Sequence, residues 1–480
     1  LVVKMKSLLQ NTLFILAVRA SALTVVKRDS NTTTVDLSIQ KGHSSHLASG
    51  FIYGIPDTKG QIPSQFYSNI GFNYGRAGGA QEGAPNQGWI WGLSDYYGRL
   101  NSTLTDYQTC REFDAKFIML PHDIWGTDQA NASTVWPGDD GDWTDYDNFI
   151  SQLMSDLQAN DALDGLVWDI WNEPDGSWFW ARGMQQWIDL YIRTHKLIRA
   201  NPAFNSVKIS GPTLAANPSP DSVWWTTWLE QVSGNGTIPD QIAYHLEAGP
   251  GIGPWQTAYD LTTTYPIVIS LLHSYDIPNR PQIINEYASY EEQIPSGAAF
   301  WISRLERYNV QGLRGNWQGG NTLHDLMANL LTKSDPFNYT AIDYMPGPEY
   351  PVYEYYYHNM TGTRVNTTGS DNLQFDVYAT ADSTEQTIRI LAGTQTATGS
   401  WSVVVENLSS VGLPSSGSIN VHTWAFNGNR HYVPTYGPVD EGVTAYSYSS
   451  NRLTIPINQS NNYTAYAFEF ASGAFHTWQQ

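Results

Sequence analysis

Two glutamates stand where chemistry is possible. Glu173 follows Asn172 and precedes Pro174 in "WDIWNEPDGSWFW" (168–180), and Glu286 follows Asn285 in "IINEYASY" (283–290). Each ends an apolar run, and a carboxylate or a proline is a poor strand residue. A strand that stops on such residues puts its polar end at a surface or a cleft. An isolated glutamate there is most often a surface cap or an ion-pair partner. Two of them, each after an asparagine, suit a division of labour. One acid can protonate a leaving oxygen while a second carboxylate attacks carbon or activates water.

The elements that must position them alternate in type. Strand-like runs appear at 51–55, 72–77, 116–121, 165–171, 206–210, 241–246, 281–286 and 310–315. Between them lie segments such as "DYDNFISQLMSDLQAN" and "MQQWIDLYIRTHKLIRA", whose apolar residues recur three and four apart as in an amphipathic helix. Alternation of this kind implies parallel pairing and an α/β fold. The repeat number and length predict a (β/α)8 TIM barrel over 50–345, where site residues gather at the carboxyl ends of the strands. A doubly wound open sheet is the rival, but no Gly-rich phosphate fingerprint follows the first strand. On a barrel, Glu173 ends the fourth strand and Glu286 the seventh, facing one cleft. Such a pair can cleave a glycosidic bond, and a retaining mechanism needs the carboxyl groups about 5 Å apart.

From about residue 360 the texture shifts to short alternating runs, "LQFDVYATA", "QTIRILAG", "SWSVVVEN", "SINVHTWAF", "RLTIPI" and "YTAYAFEF". These predict a C-terminal antiparallel β-sandwich over 346–480. An N-terminal strand within 33–48 is expected to join it, and "PVYEYYYHNM" is expected to pack the two units together. Residues 1–28 read as a signal peptide and pro-segment. Lys4 and Lys6 precede a short apolar run, and Lys27-Arg28 resembles a dibasic processing site. Ten Asn-x-Ser/Thr sequons, at 31, 101, 131, 235, 338, 359, 366, 407, 458 and 462, fit a secreted glycoprotein with N-linked glycans. The single Cys110 reads as a buried small hydrophobe.

With 25 basic and 45 acidic residues, the formal charge of −20 argues against nucleic acid and anionic membrane surfaces as partners. Nineteen Trp and 29 Tyr are more than core packing needs and suit flat ligands such as sugar rings. No zinc-binding His-Glu-x-x-His, cysteine cluster, phosphate loop or Gly-x-Ser-x-Gly elbow occurs, so no metal or cofactor is expected.

"WNEPDGSWFW" resembles the acid/base motif of glycoside hydrolase clan A, and its extended form is most similar to family 39, with its β-xylosidases and α-L-iduronidases. "IINEYASY" resembles that clan's nucleophile motif. The resemblance implies a secreted retaining glycoside hydrolase with Glu173 as acid/base and Glu286 as nucleophile. It further implies substrate contacts from Asn172, Arg76, His122, Asp123, Tyr244, His245, Tyr287, Trp317 and Trp178. Only one of Tyr244 and His245 should face the cleft, because neighbours on a strand point opposite ways. Behind Arg76 the chain reads "GRAGGAQ" where the family often has a histidine, a departure from the xylose-type pattern. A transglycosidase on the same site and a non-catalytic carbohydrate-binding protein are the alternatives. In the clan the sandwich more often braces the barrel than binds sugar. The sugar, the linkage, exo or endo action and the oligomeric state are open at this level.

Overall fold

The computed structural model describes residues 31–247 and 259–473. The leader read at 1–28 lies outside the described residues. The chain enters through β1 (Thr32–His43), which belongs to the C-terminal sheet. Among the described residues, eight parallel strands then close a barrel: β2 (Gly50–Ile52), β3 (Tyr74–Ala77), β4 (Lys116–Met119), β5 (Leu166–Asp169), β6 (Lys208–Leu214), β7 (Gln241–Leu246), β8 (Gln282–Tyr287) and β9 (Gln311–Arg314). β9 pairs back onto β2. Each falls on a run expected to be a strand.

The connecting helices are α1 (Ser64–Ser68), α2 (Leu93–Glu112), α3 (Pro121–Trp125), α4 (Thr144–Ala159), α5 (Met184–Ala200), α6 (Val223–Asn235), α7 (Leu261–Ser274) and α8 (Pro295–Tyr308). Their apolar faces supply the barrel's outer core. α2 presses hard on β3: a Cβ added at Gly75 would fall 2.5 Å from the Cys110 sulfur. Cys110 is buried and reduced, as its apolar reading requires.

The barrel interior is layered. Tyr74, Ile118, Val167, Ala243, Ile283 and Leu313 form a separate apolar plug. Two residues further along β3, β5, β7 and β8 stand Arg76, Asp169, His245 and Asn285, all buried. Side chains two apart on a strand share a face, so this polar layer sits on the plug, towards the carboxyl ends.

Beyond the barrel, β10 (Leu331–Thr332) and β11 (Met345–Pro346) form a small hairpin sheet, and most of "PVYEYYYHNM" forms the helix α9 (Tyr350–His358). The C-terminal sheet adds β12 (Thr363–Thr368), β13 (Phe375–Asp382), β14 (Thr387–Thr394), β15 (Gly399–Glu406), β16 (Gly417–Phe426), β17 (Val439–Tyr448), β18 (Arg452–Gln459) and β19 (Ala465–Ala471). Hydrogen bonds run through all nine strands in the order β17-β16-β19-β14-β13-β12-β1-β15-β18. The sandwich is thus one sheet folded over an apolar core drawn from both its ends, including Val35, Phe375, Trp401, Ile419 and Leu453. Two strands escaped the pattern. β12 is mostly polar, and β17 is an edge strand exposed along nearly its whole length, so neither needs apolar alternation. The pairing is antiparallel except between β1 and β15, which run parallel.

α8 joins the two units. It is buried from Pro295 to Glu306, and β14 lies so close that a Cβ at Gly393 would meet the Ser296 carbonyl at 2.2 Å. Arg304 and Arg307 from this helix both pair with Asp376, which is fully buried on β13.

Candidate active site

The polar layer is organised by one guanidinium. Arg76 gives Nη1 to Glu286 Oε1 at 2.5 Å, Nη2 to Asn172 Oδ1 at 2.6 Å, and Nη2 to Asp169 Oδ2 at 3.1 Å. Asp169 also accepts from Asn285 Nδ2 at 2.9 Å and Thr213 Oγ1 at 2.7 Å. The Arg76 and Asp169 side chains have no exposed surface, so the fork of the guanidinium has a single geometry in which to hold both Asn172 and Glu286.

His245 joins the two glutamates. Its Nδ1 lies 2.8 Å from Glu173 Oε1 and its Nε2 lies 3.5 Å from Glu286 Oε1. Trp178 Nε1 donates to the other Glu173 oxygen at 3.3 Å. The backbone of Glu173 has φ +40°, a region that non-glycine residues rarely occupy and that clusters at functional sites. Its N–H is held by the Thr213 carbonyl at 2.9 Å, and its own carbonyl accepts from Gly176 N at 2.8 Å.

Burial pushes the Glu173 carboxyl up, but the hydrogen bond and charge of His245, the Trp178 N–H and the charge of Arg76 outweigh it. The group is held below the usual carboxylate range. Burial would lower His245, yet the charges of Glu286 and Glu173 raise it above an ordinary histidine. In the unliganded site the proton of this pair therefore rests on the imidazole. This differs from an acid that holds its own proton on Glu173, and the pair titrates as a unit.

Glu286 owes its inward aim to a bulge. Register between β7 and β8 shifts so that Tyr244 pairs with Ile284 but His245 with Glu286. Strict alternation from Asn285 would turn Glu286 outward and Tyr287 inward; the extra residue reverses both. Tyr287 is consequently not a substrate contact. Its hydroxyl is buried against the Ala48 carbonyl at 2.9 Å and Tyr353 at 2.7 Å, and its ring packs on Trp301 of α8. Tyr244 is likewise outside the barrel, bonded to Gln282 Oε1 at 2.8 Å and packed against Trp225, so His245 is the member of that pair that faces inward.

His122 and Asp123 are buried in α3, and their role as sugar contacts is not supported. His122 Nε2 meets Asp123 Oδ1 at 3.0 Å, its ring packs on Trp171 and Phe179, and Asp123 Oδ2 accepts a hydrogen bond from the Tyr53 hydroxyl. Tyr53 in turn accepts from Gly78 N and Ala80 N, both at 3.1 Å, which fixes the loop after β3. Trp317 and Trp178 remain at the rim, 39% and 66% exposed. Trp317 Nε1 donates to the Ala288 carbonyl at 3.0 Å, tying the rim to the segment just after Glu286.

Three contributors were missed from sequence: Asp169, Asn285 and Glu247. The signal for Glu247 was its spacing, two after His245 and so on the same face of the strand end. Its carboxyl is pushed well up by burial and by the charges of Glu286 and Glu173, which favours the protonated form, and its Oε1 is enclosed without a partner. Gly315 makes room for it, since a Cβ there would lie 2.5 Å from that oxygen. Glu173, His245 and Glu247 together offer three ligand-type atoms within 4.8 Å of one another, one of two such groups among the described residues.

A barrel followed by a folded-over sheet, with paired carboxylates over a polar layer at the strand ends, defines a (β/α)8 barrel protein of the kind found among glycoside hydrolases. No protein-family model matches the chain. Among curated proteins, a 3-O-α-D-galactosyl-α-L-arabinofuranosidase of Bifidobacterium longum subsp. longum is 25% identical over 207 residues, 38% of this chain and 18% of that protein. The chain therefore spans less than a fifth of that relative's length. Among solved structures, N2152 from Neocallimastix frontalis superposes with a TM-score of 0.72 at 22% identity, over 92% of this chain and 99% of that one. A family 39 β-xylosidase from Caulobacter crescentus gives 0.55 at 14% identity, over 92% and 99% of the two chains. A family 44 xyloglucanase from Paenibacillus polymyxa gives 0.53 at 13%, over 92% and 100%. At these identities the shared property is the fold.

Proposed function

We propose that this protein is a secreted glycoside hydrolase that retains anomeric configuration. The observation that carries the reading is the placement of Glu173 and Glu286 on one imidazole and one guanidinium, Glu173 bonded to His245 and Glu286 to Arg76. A structural ion pair has no need of two inward carboxylates at a barrel mouth, one of them on a strained backbone.

Glu286, ionised against Arg76, attacks the anomeric carbon as the bond to the leaving oxygen breaks, and the leaving oxygen takes a proton from Glu173. Because the free pair stores its proton on His245 Nδ1, substrate binding must return it to Glu173. Forming the ester removes the Glu286 charge, which favours the ionised form of Glu173 for the second step. Water then attacks the anomeric carbon, gives a proton to the ionised Glu173, and releases Glu286. Asn172 uses its oxygen on Arg76, and its amide N–H groups serve the sugar 2-hydroxyl. Protonated Glu247 donates to a second hydroxyl, while Trp317 offers a face for stacking.

The arabinofuranosidase and β-xylosidase among the relatives support a pentose at the cleavage point. Secretion is supported by the sequence of 1–28, and N-glycosylation by the exposure of Asn101, Asn131, Asn235, Asn338, Asn458 and Asn462. The test is a panel of aryl pentosides and arabinose- or xylose-containing polysaccharides, with the Glu173→Gln and Glu286→Gln proteins as blanks and product anomers followed by NMR. Wild-type rates in either variant, or an inverted first product, would sink the assignment. A 2-fluoro pentoside that leaves an ester on Glu286 would distinguish an enzyme from a sugar-binding protein.

A further inference from the structure

The second cluster of metal-ligating side chains lies apart from the catalytic glutamates, at the same end of the barrel. Asp57 stands in the loop after β2, Glu82 in the loop after β3, and His324 closes the turn Gly320–His324 after β9. One ligand-type atom from each lies within 4.8 Å of the others.

The histidine is set as a ligand would be. His324 is 1% exposed, and its Nε2 lies 2.9 Å from the Ala80 carbonyl, which can only accept. Nε2 therefore carries the hydrogen, and in the neutral ring Nδ1 presents a lone pair. That lone pair faces Asp57 Oδ1 at 3.7 Å. The other neighbour, Ser102 Oγ at 3.5 Å, has already given its single hydrogen to Asp57 Oδ1 at 2.6 Å. A ring held through one nitrogen by a backbone carbonyl while the other faces carboxylates is how metal-binding histidines are oriented.

A separate observation points the same way. Asp106 lies one turn beyond Ser102 on the same face of α2, is 1% exposed, and has no hydrogen-bond partner on either carboxylate oxygen. Asp57 and Glu82 are the charges whose repulsion acts on it. Arg99, a cation within reach of Glu82, already gives its donors to Asp128, the Asp123 carbonyl and the Asn86 carbonyl. A buried carboxyl under the repulsion of two others, without a donor of its own, marks a place for positive charge.

We propose that Asp57, Glu82 and His324, backed by Asp106, bind a divalent transition-metal cation such as Zn2+ or Mn2+. One imidazole among carboxylates suits those ions better than Ca2+ or Mg2+, which prefer oxygen alone. An ion with bonds of about 2.0–2.2 Å would draw the three ligands together by side-chain rotation. It would pin the loops after the first, second and eighth barrel strands to α2. This includes the loop from Gly78 to Glu82 that Tyr53 also holds. The cation serves stability and the shape of the cleft rim and takes no part in the sugar chemistry.

The test uses the full protein, stripped with chelator and exchanged into metal-free buffer. Zn2+, Mn2+ and Ca2+ are then titrated by calorimetry, with the melting temperature followed in parallel. Expected is one equivalent of Zn2+ or Mn2+, a saturable rise in melting temperature that chelator reverses, and no comparable response to Ca2+. Asp57→Asn, Glu82→Gln and His324→Gln should each weaken binding at least about tenfold, while Glu247→Gln should not. Circular dichroism identifies any variant that fails to fold, and the half-buried Glu82 offers the mildest of the three. Absence of saturable binding would overturn the proposal and leave Asp57 and Glu82 as carboxyls hydrogen-bonded to each other. So would binding that survives Asp57→Asn and Glu82→Gln but is lost in Glu247→Gln, since the ion would then sit among the catalytic residues.

Discussion

Asp169 is the place to test whether the polar layer is built as described. Four protein donors converge on its two oxygens: Thr213 Oγ1 at 2.7 Å, Asn285 Nδ2 at 2.9 Å, and Arg76 Nη2 and Nε at 3.1 and 3.3 Å. In Asp169→Asn the volume is kept, but an N–H now faces donors and the charge opposite Arg76 is gone. Both side chains are fully buried, so solvent does not screen the loss. Removing one partner of such a pair costs about 3–5 kcal/mol, and the retained amide oxygen places this variant near 3. Glu286 is then the one carboxylate still hydrogen-bonded to Arg76, which ties up the proposed nucleophile and loosens the guanidinium that holds Asn172. The proposed glycosidase activity should fall with the stability. Urea unfolding of Asp169→Asn, Arg76→Met and the double variant measures the first part. The double variant should be less destabilised than the sum, with coupling of at least ~1 kcal/mol, because each single change strands a buried charge. A loss below about 0.5 kcal/mol in Asp169→Asn, in the range of ordinary surface changes, or strict additivity, would refute the reasoning.

Three further outcomes follow from the same geometry. In His245→Asn, Glu173 loses the partner that lowers it while burial remains, so its pKa should rise. The alkaline limb of kcat/KM then belongs to Glu173 itself and should move to lower pH than in the wild type, where the raised His245 holds the proton; an unmoved limb would mean the two do not share it. Gly75→Ala would drive a methyl to 2.5 Å from the Cys110 sulfur and should cost about 1–3 kcal/mol, whereas Gly75→Ala with Cys110→Ala should recover most of it, measured by urea midpoint. Burial pushes Glu292 up to about 7 despite its bonds to Ser289 and Gln395. A carboxyl raised on folding binds a proton more tightly in the folded state, so stability should fall as pH rises from the usual carboxylate value to about 7. In Glu292→Gln that slope should flatten by on the order of 2–3 kcal/mol, seen by unfolding at pH 5 and pH 8.

The architecture was legible because period carries it. Apolar runs separated by helical segments read as β2 to β9, and alternating runs separated by Gly, Ser and Pro read as six of the later strands. β12 and β17 stayed hidden because an edge or polar strand needs no apolar face. Among site residues, Glu173, Glu286, Asn172, Arg76 and His245 do converge, because each lies at or just beyond the carboxyl end of a strand of one closed barrel. Tyr244 turns away as the strand neighbour of His245, Tyr287 is turned away by the bulge in β8, and His122 and Asp123 are buried because the chain after β4 enters α3.

Sequence by itself determined which residues end the barrel strands, since hydrophobic periodicity is local and survives without tertiary contacts. It also determined that two of those residues are glutamates. Only the folded chain decided which way they point. The bulge between β7 and β8 turns Glu286 inward and Tyr287 out, a register choice set by pairing with a neighbouring strand. The charge on Glu173 and the proton on His245 depend on a contact made across 72 residues, and the meeting of Asp57, Glu82 and His324 depends on three separate loops. Electrostatics of that kind depends on distance in space, and distance in space is what folding supplies.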